Sequence, residues 1–203
     1  MDGLWHQLVL IWIHDPARFQ DYLTAMAPIV RRYGGAADGS FAPTAIHAGG
    51  LTTPDVVNLV HYDNRAAFDA FTNDPDFQQI KHLRDESVDL LSFEGRLAKK
   101  SPPDSGRTYG IEIVQFPNGS REAYQRYERD GESVMARYGF QVDYVLEIES
   151  SAEHRFDLVK ISSFPSGADR AAFETDPLHQ RVERELYPAA VGDLIWIDAI
   201  QRP

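Results

Sequence analysis

The chain has 203 residues, with 20 Lys and Arg against 31 Asp and Glu, a formal charge of −11 and 43% apolar residues. That acidity argues against nucleic acid or an anionic membrane as partner, because both require a cationic surface. The absence of cysteine excludes disulfides, thiolate metal sites and a cysteine nucleophile. The first apolar run, Leu8–Ile13, has strand length and is too short for an export signal or a membrane span. The expectation is therefore a soluble, cytoplasmic protein. Asp15-Pro16 supplies an N-cap and an N1 proline, which opens a helix. Phe19, Tyr22, Leu23, Met26, Ile29, Val30 and Tyr33 then recur at three- and four-residue steps, and Gly34-Gly35 ends the run. A weak strand around Thr44–Ala48 and a stronger one at Val56–Tyr62 follow. A second helical stretch begins at Ala66–Phe71 and is interrupted and restarted by Asn73-Asp74-Pro75, and a strand over Leu90–Leu97 completes the series.

The same order returns after Lys99–Arg107, whose Ser-Pro-Pro-Asp-Ser-Gly composition is that of a linker. Arg32-Tyr33-Gly34 reappears as Arg137-Tyr138-Gly139, Asn73-Asp74-Pro75 as Thr175-Asp176-Pro177, and Asp89–Glu94 as Asp193–Asp198, at a near-constant offset. Strands are expected at Tyr109–Phe116, Gln141–Glu149, Phe156–Phe164 and Leu194–Ile200, with helices near Arg121–Tyr138 and Ala168–Leu186, the first capped by Ser120. The reading is α+β: two ferredoxin-like β-α-β-β-α-β repeats, 1–98 and 108–203, joined by a linker over 99–107. Their antiparallel sheets would pack into an intramolecular dimeric α/β barrel, each covering the bare face of the other.

Asp15-Pro16-Ala17-Arg18-Phe19, Pro28 through Gly35, Asn73 through Gln78 and Phe93-Glu94-Gly95 together resemble the dimeric α/β-barrel superfamily. The likeness is to its small domain-of-unknown-function branch, related to antibiotic-biosynthesis monooxygenases, EthD-like and NIPSNAP proteins. It covers nearly the whole chain, once per half, and the second half keeps the pattern through Phe164-Pro165-Ser166 and Asp176-Pro177. The resemblance implies the fold and a small-molecule pocket, with functions ranging over cofactor-free oxygenases, isomerases, cyclases and haem enzymes. The polar positions of the branch are replaced here: Trp12 stands in the first strand, and His61 and Ser163 precede the aromatic of the third.

The site must then be argued from this chain's own residues. His47 and His61 lie on sequential strands and His14 ends the first strand. Imidazoles there could project into a pocket walled by Trp12, Tyr62 and Tyr22, or simply be satisfied at strand ends. No metal-ligand spacing occurs, so neither a metal nor another cofactor is expected. Glu112, Glu147 and Lys160 are charges in apolar strands; they either pair across strands or make Glu112 or Glu147 a base beside Tyr144 as donor. The resulting expectation is a cofactor-independent enzyme on a small hydrophobic or aromatic carbonyl compound, working by proton abstraction towards isomerisation, cyclisation or oxygenation. His61 or His47 would be the base, Tyr62 the oxyanion donor, and Trp12, His14, Tyr22, Glu112 and Tyr144 would line the substrate pocket. A module that binds a hydrophobic ligand without chemistry, or a structural unit, is the alternative. The internal pairing leaves room for a further homodimer.

Overall fold

The computed structural model describes residues 3–101, 104, 106–119, 121–149 and 155–202. Ser120 and part of the linker, including Pro102 and Pro103, lie outside them. The first half runs β1 (Trp5–Ile13), α1 (Pro16–Arg32), β2 (Ala36–Ala48), β3 (Val56–Tyr62), α2 (Arg65–Thr72), α3 (Pro75–Asp85) and β4 (Val88–Lys100). The second runs β5 (Thr108–Gln115), a 3-10 turn at Pro117–Gly119, α4 (Arg121–Arg137), β6 (Gln141–Ile148), β7 (Leu158–Phe164), α5 (Gly167–Glu174), α6 (Pro177–Ala190) and β8 (Asp193–Gln201). Among the described residues no helix is long and apolar enough to cross a membrane.

All eight strands form one closed antiparallel barrel in the order β1-β3-β2-β8-β5-β7-β6-β4. This corrects the expected fold class, two ferredoxin-like β-α-β-β-α-β repeats whose separate antiparallel sheets pack into an intramolecular dimeric α/β barrel. Among the described residues there is one sheet, not two. A four-stranded sheet leaves two unpaired edges, and here β2 takes β8 and β4 takes β6 as hydrogen-bonded neighbours. Six α-helices rather than four surround the barrel among the described residues. The extra boundaries have a local cause. Asp74 caps α3 through the Asp76 and Phe77 amides, Asp176 caps α6 through those of Leu178 and His179, and a proline follows each. The remaining oxygen of each cap accepts a tyrosine hydroxyl, from Tyr33 to Asp74 at 2.6 Å and from Tyr138 to Asp176 at 2.8 Å. Each cap thereby ties the long helix of its half to the restarted one.

Strand alternation divides the side chains into two layers. Leu8, Leu10, Phe41, Leu59, Phe93, Tyr109, Ile111, Tyr144, Ile161 and Ile197 fill the barrel interior. The opposite faces carry the residues that meet the helices: Ile11, Val56 and Tyr62 under α1 to α3, and Val114, Leu158 and Leu194 under α4 and α6. Two carboxylates interrupt the ladders: Asp38 falls between the paired residues Ala37 and Gly39 of β2, and Asp143 between Val142 and Tyr144 of β6. Both are β-bulge positions, where an extra residue re-aims its side chain.

Candidate active site between the barrel and its outer helices

On the helix-facing side of the second half, one transverse row joins three strands. Glu112 of β5 lies opposite Lys160 of β7 and, on its other side, opposite Trp196 of β8. Lys160 is 3% exposed. Its ammonium stands 3.0 Å from the Glu112 carboxylate and 3.5 Å from that of Glu128, and 5.5 Å above the Tyr124 ring. Burial alone would drive the proton from this amine, but Glu112, Tyr124 and Glu128 hold its pKa well above the usual lysine value. The cation is permanent.

The row floors a cleft of about 80 Å³, roofed by Tyr127 and Met135 of α4, Arg170 and Phe173 of α5, and His179, Glu183 and Tyr187 of α6. A single water needs roughly 10–15 Å³ on this measure, so the cleft has room for a small ligand fragment. The His179 ring lies tilted against that of Phe173 with centroids 3.9 Å apart, and its Nε2 is 3.6 Å from Glu183. Burial lowers the His179 pKa despite the nearby carboxylates of Glu183, Glu174 and Asp176, so the imidazole is uncharged near neutral pH. Burial likewise raises Tyr127 and pushes Tyr187 up to about 12, which keeps both phenols protonated as donors.

A second, larger groove of about 410 Å³ adjoins the cleft, and Arg170, Glu174 and Trp196 border both. Here Asp198 bridges two side chains: its Oδ2 is 2.7 Å from His47 Nε2, and its Oδ1 meets the Arg170 guanidinium. The Trp196 ring lies 5.0 Å from the His47 ring and 5.3 Å from the Arg170 guanidinium, so it forms the partition.

The residues singled out in the sequence are dispersed. Glu112 lines the cleft and His47 the groove. The remaining charged strand residue, Glu147, pairs with Arg121 at 2.7 Å. His61 sits at one end of the barrel beside Asp38, at 3.0 Å. Tyr144 is also inside the barrel, with its hydroxyl donating to the Asp38 carbonyl at 3.2 Å. Tyr62 is packed among Phe68 and Phe71 on the outer face, and Tyr22 beside Phe19 in the same cluster. Trp12 covers the barrel interior at the other end of β1, donating to the Thr52 carbonyl at 2.9 Å. His14 is half-exposed, 3.7 Å from Asp89. His47 and His61 do not meet, because β2 pairs with β3 only through Ala36–Phe41 and its His47 end pairs with β8. Sequence reasoning missed His179, Arg170, Tyr127, Tyr187 and Trp196. Trp196 was findable: it shares its strand phase with Leu194 and Asp198, opposite the apolar Ile195 and Ile197.

Comparison with known proteins agrees on the fold. A family model described as a domain of unknown function, DUF1330, matches residues 7–93. Among curated proteins no sequence matches. Of the solved structures, an anthrone oxidase-like protein superposes with TM-score 0.67 at 14% identity, covering 100% of this chain and 92% of that one. A proposed monooxygenase from Lactobacillus acidophilus NCFM gives TM-score 0.58 at 8% identity, covering 98% and 94%. A chlorite dismutase variant from Candidatus Nitrospira defluvii gives 0.63 at 9%, covering 100% and 93%. The architecture of these structures, a closed barrel wrapped by helices, is the one this chain adopts. At these identities the likeness concerns the fold.

Proposed function

We propose that the chain is a small-molecule enzyme that acts on a hydrophobic or aromatic carbonyl compound in the Lys160–His179 cleft. One observation carries this reading: a permanent buried ammonium and an uncharged imidazole line the same aromatic-walled cavity. Uncharged His179 removes a proton from a carbon beside the carbonyl, or from one conjugated to it through an aromatic ring as in an anthrone, and the electron pair moves to the carbonyl oxygen. Lys160 faces that developing oxyanion, with the Tyr127 and Tyr187 hydroxyls as further donors. Return of the proton to another carbon, or to that oxygen, completes an isomerisation with no net redox change, and every electron stays within the substrate. The base is thus His179 rather than His47 or His61. The name of the anthrone oxidase-like neighbour supports the substrate class, since an anthrone is an aromatic ketone with an acidic methylene. We also place the kinship with antibiotic-biosynthesis monooxygenases within this proposal.

The test is proton–deuterium exchange at that carbon, followed by NMR in heavy water across a panel of anthrones and aryl ketones. Exchange with the wild type, lost in His179→Gln while the ligand still binds, is the expected result. Binding with no exchange in the wild type would make the chain a ligand carrier and end the enzymatic reading.

A further inference from the structure

A separate polar cluster occupies one end of the barrel, apart from the cleft and independent of the function proposed for it. His6 of β1 and His61 of β3 are register partners, and both follow the inward phase of Leu8 and Leu59. The bulged residue Asp38 of β2 turns its carboxylate between them. Its Oδ2 is 3.1 Å from His6 Nε2 and its Oδ1 is 3.0 Å from His61 Nδ1, and ligand atoms from all three residues lie within 4.8 Å of one another. His6 is 3% exposed, and neither of its ring nitrogens makes an aligned hydrogen bond; the same holds for Asp38 Oδ2 and His61 Nδ1. Buried polar atoms held by one another's charges rather than by aligned hydrogen bonds are a donor set that a bound cation would satisfy.

From this juxtaposition we propose that His6, Asp38 and His61 form a binding site for a divalent first-row transition-metal ion. Metal–ligand bonds of about 2.1 Å at tetrahedral or octahedral angles put neighbouring ligand atoms roughly 3.0–3.4 Å apart. The two observed separations match that spacing. Two imidazoles and one carboxylate suit such metals and leave coordination positions open. The Leu4 backbone carbonyl faces His6, the kind of partner that fixes the ring of a ligating histidine. An entry path exists where the His61 side chain is 20% exposed and the Lys100 side chain beside it 44%. Lys100 places its ammonium on Asp38 Oδ1, so a cation already neutralises this carboxylate and an incoming metal must displace or share it. Tyr144 holds the bulge itself, through the Asp38 carbonyl.

The experiment is calorimetric titration of the metal-stripped, untagged chain with Zn²⁺, with Co²⁺ visible absorption as the coordination signature. One site tighter than about 10 µM is expected. Asp38→Asn and His61→Gln should each weaken it by about 100-fold, with folding verified by circular dichroism. His14→Gln, at an exposed histidine, should leave it unchanged. Lys100→Met should tighten binding by removing the competing charge. Absence of binding in the wild type, or wild-type affinity in both Asp38→Asn and His61→Gln, overturns the proposal.

Discussion

Lys160 and Glu112 oppose each other across the β5–β7 ladder, and their charged ends meet at 3.0 Å beneath a roof of helices. A lysine so enclosed is stable as a cation only because carboxylates stand beside it. Glu112→Gln removes the nearer of the two and leaves Glu128. We expect a loss of about 2 kcal/mol in urea unfolding, less than for an unpartnered buried ion. Lys160→Met removes the charge and keeps the apolar volume, and should cost less than Glu112→Gln. A Glu112→Gln variant as stable as the wild type would show that Glu128 alone balances the ammonium.

The rate should follow the ionisation of His179. Burial holds its folded pKa below the ordinary 6.5, so the basic form persists to lower pH than for a free histidine. Turnover should rise through an apparent pKa below 6.5 and be flat at neutrality, and His179→Gln should abolish the rise. Stability follows with the opposite cause. The unfolded chain binds the proton more readily than the native one, so the native state is undiminished above 6.5 and loses stability as pH falls through the lowered folded pKa. His6, also lowered chiefly by burial, adds in the same direction. Denaturation curves between pH 7 and 5 check the sign.

Gly95 marks a seam. A methyl group built there would stand 1.8 Å from the Glu147 carbonyl oxygen on the neighbouring strand β6. Because the obstacle is backbone, no rotamer change relieves it, and Gly95→Ala should cost about 3 kcal/mol and loosen β4 from β6. Hydrogen exchange at Leu97 and Leu146, a register pair of that seam, should accelerate first.

Trp196 partitions the cleft from the groove and reports on both. An aromatic ligand in the cleft should quench its fluorescence. Trp196→Leu should weaken that ligand by about tenfold, the worth of one aromatic contact, without unfolding the chain. Unchanged affinity would move the ligand elsewhere.

Much of the chain order was legible. Asp15-Pro16 marks the helix whose N-cap accepts from the Arg18 amide, and the Glu112–Lys160 pair follows from two charges in apolar strands. The β2 strand was read too short, at Thr44–Ala48 rather than Ala36–Ala48, because Ala36-Ala37-Asp38-Gly39 has the composition of a turn. The sequence points to a barrel, but hydrophobic alternation does not separate two packed sheets from one closed sheet, since a strand buried on both faces looks alike in either. The histidines mislead for a similar reason. His179 sits on a helix with an exposed-looking neighbourhood, Gln180-Arg181, and only the fold of α6 over Phe173 buries it.

Strand β8, Asp193–Gln201, hydrogen-bonds to both β2 and β5 and so joins the two halves on one side of the barrel. Without it, the Phe41 side of β2 is an open template, an adhesive border along which another chain can pair. Chains truncated before residue 193 should therefore associate with one another.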